Sequence, residues 1–262
     1  ENFGFEVTVL QPYDQEITAK QVKDALRDDT ILVSTMYVNN ETGTILPITE
    51  IGEVVRNHSA VYHVDAVQAV GKLTIKPEEL GIDFLSASGH KFHGPKGVGF
   101  LYASSMDFDS YIHGGDQEHK KRAGTENLPA IVGMVAAFKE ELSKQTANYQ
   151  AVQRLQDLFL TKISSLNYYI NHGKEQLPYV LNLGFPGQKN DLLLLRMDLA
   201  GISISTGSAC TAGIVQTSHV LKAFYGNGSH RLHESVRISL SPQNTDEEII
   251  QLVNTLKEII GD

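Results

Sequence analysis

The stretch "SASGHKFHGPKG", residues 86–97, places Lys91 and Lys96 in one glycine-rich loop with two histidines. A partly desolvated lysine amine attacks carbonyl carbon, so either residue could be a nucleophile, although a solvated turn taken alone also accounts for Gly, Pro and Lys together. Gly89 and Gly94 have the glycine spacing of a nucleoside-triphosphate loop. Pro95 stands where that loop needs its lysine, however, and no Ser or Thr follows Lys96, which excludes the chemistry. His90 and His93 find no third ligand at a suitable spacing, so no metal site is expected. A second stretch, "YHVDAVQAVG" at 62–71, ends an apolar run in Asp65 and sets Gln68 three positions on; an acid there could equally cap a helix. A third, "ISTGSACTAG" at 204–213, carries Cys210, the only cysteine, which forbids an intrachain disulfide and is either inert filling or a nucleophile. In a fourth, "ESVRISLS", Arg237 interrupts an apolar run: a guanidinium suited to a carboxylate, or simply a partner for a protein acid.

The elements around these residues alternate. "FEVTVL" reads as a strand, "AKQVKDALRDD" as a helix opened by a Thr18–Gln21 capping box, "TILVSTM" as a strand, 48–58 as a helix and "AVYHVD" as a strand. Such alternation predicts right-handed βαβ units on a mostly parallel sheet. "IDFLSAS" and "GVGFLYA" add strands, so the lysine loop falls at the carboxyl end of a strand, where open α/β sheets bind ligands. A long charged helix over 127–167 marks a change of character. The expected organisation is a large-domain portion over 1–140 and a smaller α+β domain over 141–262. The second would contain "YVLNLGF" and "HESVRISLS" as strands and "NDLLLLRMDLA" as a helix. Its last helix would be capped by Thr245 with Glu248, with Ile249, Val253, Leu256 and Ile260 on its apolar face.

Composition narrows the partners. The 262 residues carry a formal charge of -9 and no dense Lys/Arg stripe, which argues against binding a phosphate backbone, so no nucleic acid is expected. Apolar runs such as "AIVGMVAAF" are too short to span a bilayer, and with a single cysteine the expectation is a soluble protein of the reducing cytoplasm, with no membrane partner.

Taken together, the four stretches with "VNNETG", "HGGDQEHKKRAGTENLPAIVGM" and "NLGF" resemble the cysteine desulfurases of the NifS/IscS type, which are fold-type I pyridoxal-phosphate enzymes. The resemblance covers nearly the whole chain. It implies that Lys91, directly after His90 of "SGHK", is the Schiff-base lysine, and that Lys96 is not. It implies further that Asp65 pairs with the cofactor's ring N–H and that Gln68 donates to its phenolate oxygen. Ser88 and His90 would bind the phosphate, which Thr125 of "RAGTEN" would reach in a neighbouring subunit, making a homodimer. Arg237, with Asn40 beside it, would hold the substrate carboxylate, and Cys210 would take the sulfur of L-cysteine as a persulfide, leaving alanine. The sulfur would then pass to an acceptor protein such as an iron-sulfur scaffold or a thiolation enzyme.

Family members carry roughly a hundred further residues ahead of this point, about one ordinary domain, including a Gly/Ala-Thr phosphate turn and a histidine that stacks on the cofactor. The chain opens "ENFGFEV" without Met, so a fragment, or a companion chain supplying the rest, is expected. Two other readings stay open: a selenocysteine lyase or other class V enzyme, and an inactive fragment serving as a dimerisation or acceptor-binding module. "STGSACTAG" argues against the former, because an enzyme without sulfur transfer has no need of that cysteine.

Overall fold

A computed structural model describes residues 4–207 and 217–261 of the protein. The chain forms two compact units: Val22–Tyr37 with Pro47–Gln145, and Glu1–Gln21 with Val38–Leu46 and Thr146–Asp262.

In the unit around Pro47–Gln145, β1 (Leu32–Met36), β2 (Val61–Asp65) and β3 (Phe84–Ser88) lie side by side in parallel, and β4 (Gly99–Ala103) runs antiparallel along β3. Parallel neighbours need a crossover of a dozen or more residues. Between β1 and β2 that crossover holds α2 (Ile48–Arg56), which buries Ile48, Ile51 and Val55, while Gly52 lies so close to the chain that an added Cβ would stand 2.0 Å from the Leu80 carbonyl oxygen. The ten residues between Ser88 and Gly99 are too few for a crossover, so β4 turns back. The sheet's period of two then separates its faces. Tyr62, Val64, Leu85 and Ala87 are buried, while His63, Asp65, Ser86 and Ser88 alternate with them on the opposite face, Asp65 level with Ser86.

In the other unit, β5 (Tyr169–Ile170), β6 (Val180–Gly184) and β7 (Ser235–Ser239) form an antiparallel sheet. β6 is buried along its whole length, and α4 (Asn190–Leu199), α5 (His219–Tyr225), α6 (Arg231–Glu234) and α7 (Asp246–Gly261) belong to the same unit. α3 (Leu128–Ile163) contributes residues to both units.

Both expected capping boxes are present. Thr18 N donates to Gln21 Oε1 at 2.9 Å and Gln21 N to Thr18 Oγ1 at 3.2 Å ahead of α1 (Ala19–Ala25); Thr245 N donates to Glu248 Oε2 at 3.0 Å and Glu248 N to Thr245 Oγ1 at 3.2 Å ahead of α7. Three expectations are corrected. "FEVTVL" joins no sheet among the described residues: Phe5, Val7 and Val9 are 57–71% exposed, because alternation makes a strand only where a neighbour pairs with it. α1 ends at Ala25 rather than running to Asp29, since Thr30 Oγ1 accepts from Arg27 N and Arg27 turns to Asp29 at 2.9 Å. The buried stripe of α7 is Ile249, Leu252, Val253, Leu256 and Ile259, with Ile260 only half-buried, because successive turns shift the inward position.

Candidate active site

The lysine loop opens with a 3-10 turn, Gly89–Phe92, directly after β3. Phe92 anchors it, 2% exposed and against the rings of Phe100 and Phe138 at 6.5 and 5.5 Å between centroids. His93, in the left-handed region at φ 66°, ends the turn. Lys91, next to the anchored ring, is half-buried and has no hydrogen-bond or ion-pair partner among the described residues, whereas Lys96 is exposed. Ser88 Oγ and His90 Nδ1 stand 2.8 Å apart at the head of the turn.

At the end of β2, Asp65 Oδ1 accepts from Val67 N at 2.9 Å, closing an Asx turn where a helix cap was the other expectation. Oδ2 has no hydrogen-bond partner among the described residues. Gln68 lies half-buried in the following turn, where its carbonyl oxygen accepts from Lys72 Nζ at 3.3 Å. Asp65, Gln68, Ser88, His90 and Lys91 therefore gather at the carboxyl ends of two adjacent parallel strands. Thr125 is exposed ahead of α3 and makes no hydrogen bond to this group among the described residues. A separate cavity of about 430 Å³, lined by Arg56, His58, Asp83, Tyr102 and Ser104 among others, holds none of these residues.

Arg237 and Asn40 meet in the other unit. Arg237 Nη1 donates to the Asn40 carbonyl oxygen at 3.2 Å, and an isolated bridge links Arg237 to Ser205 through backbone bonds of 2.6 and 3.0 Å. The guanidinium thus reaches the backbone of Asn40. Cys210 lies outside the described residues.

Sequence reasoning missed three groups. Glu41, inside "VNNETG", is 1% exposed. Lys72 lies in the same unit as Lys91 and Glu141; burial first, and the charge of Lys91 second, push its ammonium pKa down to about 8 against the opposing pull of Glu141. The third is His63, whose place two before Asp65 in "YHVD" was the available signal, since period two puts both on one face. His63 Nδ1 stands 2.8 Å from Ser34 Oγ, and Nε2 3.1 Å from Ser86 Oγ.

Burial holds the His63 imidazole below its ordinary value of 6.5, with Asp65 opposing. The unfolded chain therefore takes up this proton first as pH falls. The associated stability is full above about 6.5 and declines as pH drops through that value towards the lower folded one. The urea midpoint is expected to fall between pH 7.5 and 5.5, with a shallower fall in His63→Gln. Equal slopes in the two proteins would assign the decline to other groups.

Residues 1–252 match the family described as Aminotransferase class-V. The chain is 47% identical over 266 residues to a Bacillus subtilis protein provisionally named cysteine desulfurase IscS 1, covering 99% of this chain and 70% of that protein. It is 40% identical to the cysteine desulfurase IscS of Dictyoglomus turgidum, covering 99% and 67%. The structure is similar to that of a NifS-like protein from Rickettsia africae, with a TM-score of 0.89 at 30% identity, covering all of this chain and 71% of the other.

Proposed function

The chain belongs to the class-V aminotransferase family, and from that premise we propose that it is a pyridoxal-phosphate-dependent cysteine desulfurase, converting L-cysteine to L-alanine and passing the sulfur through Cys210 to an acceptor. The carrying observation is that a half-buried lysine and a carboxylate oxygen, neither with a hydrogen-bond partner among the described residues, sit at the carboxyl ends of neighbouring parallel strands. The residues fit the cofactor: Asp65 Oδ2 is available to the ring N–H, Ser88 and His90 offer phosphate donors at the head of a turn, and Lys91 offers its amine.

Bound there, pyridoxal phosphate supplies the electron sink that loosens the bonds around the substrate's α-carbon. Asp65 keeps the ring nitrogen protonated, for which a charged carboxylate is needed because an amide could not hold the proton. Gln68 donates to the phenolate oxygen. Lys91, as the free amine, moves the proton at the substrate carbon. Arg237 binds the α-carboxylate beside Asn40, and its planar fork suits two carboxylate oxygens better than an ammonium would. The Cys210 thiolate attacks the substrate sulfur: an S–S bond forms as the C–S bond breaks, and the carbon, once protonated, leaves as alanine. Thr125 of a second copy completes the phosphate contacts, so the working form is a homodimer, acting in the cytoplasm and delivering sulfur to a scaffold or thiolation protein.

Incubation of the cofactor-loaded protein with L-cysteine and a reductant is expected to release alanine and sulfide in equal amounts. Consumption of selenocysteine but not cysteine would replace this reading with a selenocysteine lyase. Failure to bind the cofactor at all would leave only a non-enzymatic module.

A further inference from the structure

Ser86 on β3 pairs in register with Asp65 on β2, on the same face, and neighbouring strands lie only about 4.8 Å apart. A hydroxyl in that place is a ready donor to a carboxylate. Asp65 Oδ1 is already engaged by Val67 N, and the Ser86 carbonyl oxygen accepts from Ala66 N at 2.9 Å, which leaves Asp65 Oδ2 and the Ser86 hydroxyl facing the same space. The hydroxyl is taken by another group. Ser86 Oγ lies 3.1 Å from Nε2 of His63, two residues before Asp65 on the same strand, and His63 Nδ1 lies 2.8 Å from Ser34 Oγ on β1. Burial favours the neutral imidazole, which has one donor nitrogen and one acceptor nitrogen. Were Nε2 the donor, the Ser86 proton would be free for Asp65 Oδ2, yet no such bond is formed among the described residues. Nε2 is therefore the acceptor, and Nδ1–H donates to Ser34.

We infer that His63 is a positioning residue for the cofactor's ring nitrogen: its Nε2 takes the Ser86 proton and so reserves Asp65 Oδ2 for the ring N–H. This rests on the reading of Asp65 as the partner of that N–H. A carboxylate oxygen that already accepts from a neighbouring hydroxyl has part of its charge satisfied, and binding the ring would forfeit part of that charge-assisted bond. With Ser86 turned to His63, nothing is forfeited. Ser34 completes the arrangement from the third strand, because it accepts the one imidazole proton and so fixes which nitrogen faces Ser86.

The test is titration of the cofactor-free protein with pyridoxal phosphate, followed by the visible band. In His63→Phe, which keeps a ring but has no acceptor, the dissociation constant is expected to rise about tenfold as Ser86 turns to Asp65. Adding Ser86→Ala to that variant is expected to bring the constant back to within about threefold of the parent, and Ser86→Ala alone to leave it within about twofold, because no hydroxyl then competes. His63→Gln offers an amide oxygen to Ser86 and is expected to stay within about threefold. If His63→Phe does not fold, His63→Val, a residue suited to a strand, is read in the same way. Nitrogen-15 NMR of the cofactor-free parent at pH 7.5 is expected to find the His63 proton on Nδ1. A proton on Nε2, or a loss of affinity in His63→Phe that Ser86→Ala does not restore, would overturn the inference, as would an unchanged constant in His63→Phe when Asp65→Asn weakens binding. Unchanged binding by Asp65→Asn would instead overturn the reading of Asp65, and the NMR result would still judge the bond between Ser86 and His63.

Discussion

Lys91→Ala is expected to lose covalent attachment of pyridoxal phosphate completely, while Lys96→Ala keeps it. The two lysines share a loop but not an environment. Lys96 is exposed, and its ammonium remains hydrated. Lys91 is half-buried beside Phe92, which is packed against Phe100 and Phe138 and holds the turn at the end of β3. Only there does the amine share a strand-end cluster with Asp65, Ser88 and His90. A half-buried lysine in a cluster with a carboxylate and phosphate donors is placed to meet the cofactor's aldehyde. Borohydride treatment of the cofactor-loaded protein followed by peptide mass spectrometry is expected to find the added mass on the peptide holding Lys91. The visible band should be absent from Lys91→Ala after desalting and retained in Lys96→Ala. Reduction that fixes the cofactor on Lys96 would reverse the assignment.

How far such a site can be read without coordinates depends on the range of the interaction that makes it. The capping boxes at Thr18–Gln21 and Thr245–Glu248 close over three residues, so their pattern alone predicts them, and both sets of reciprocal bonds are present. β2 is legible for a similar reason: Tyr62 and Val64 alternate with His63 and Asp65, and the alternation sends the polar pair to one face. "FEVTVL" alternates just as regularly, yet a strand also needs a neighbour, and pairing is a long-range matter that local pattern does not carry. Glu41 is a sharper case. In "VNNETG" an acid among Asn, Thr and Gly reads as an exposed turn. Its burial depends on Asn182 and Ser218, more than a hundred residues away, and no local rule brings those partners to it.

Cys210→Ser is expected to bind L-cysteine normally and to lose sulfide release by at least about 100-fold. The residues proposed to hold cofactor and substrate, Asp65, Lys91 and Arg237, do not include the thiol, so binding proceeds without it. The transfer step is different. Sulfur leaves the substrate only if a nucleophile takes it, and a neutral hydroxyl is far weaker than a thiolate towards sulfur. Because Cys210 is the only cysteine, no second thiol can substitute, and every persulfide sulfur in the chain must reside on one peptide. Addition of cysteine to the parent protein is therefore expected to add one sulfur atom to the peptide containing "STGSACTAG", and none to the serine variant, while the cysteine-induced change in cofactor absorbance is the same in both. This pairing of a preserved spectral response with a lost product separates a missing sulfur carrier from a damaged binding site, which would remove both signals. Full desulfuration by Cys210→Ser would make the thiol incidental, and the chemistry would then be that of a lyase that releases its chalcogen directly.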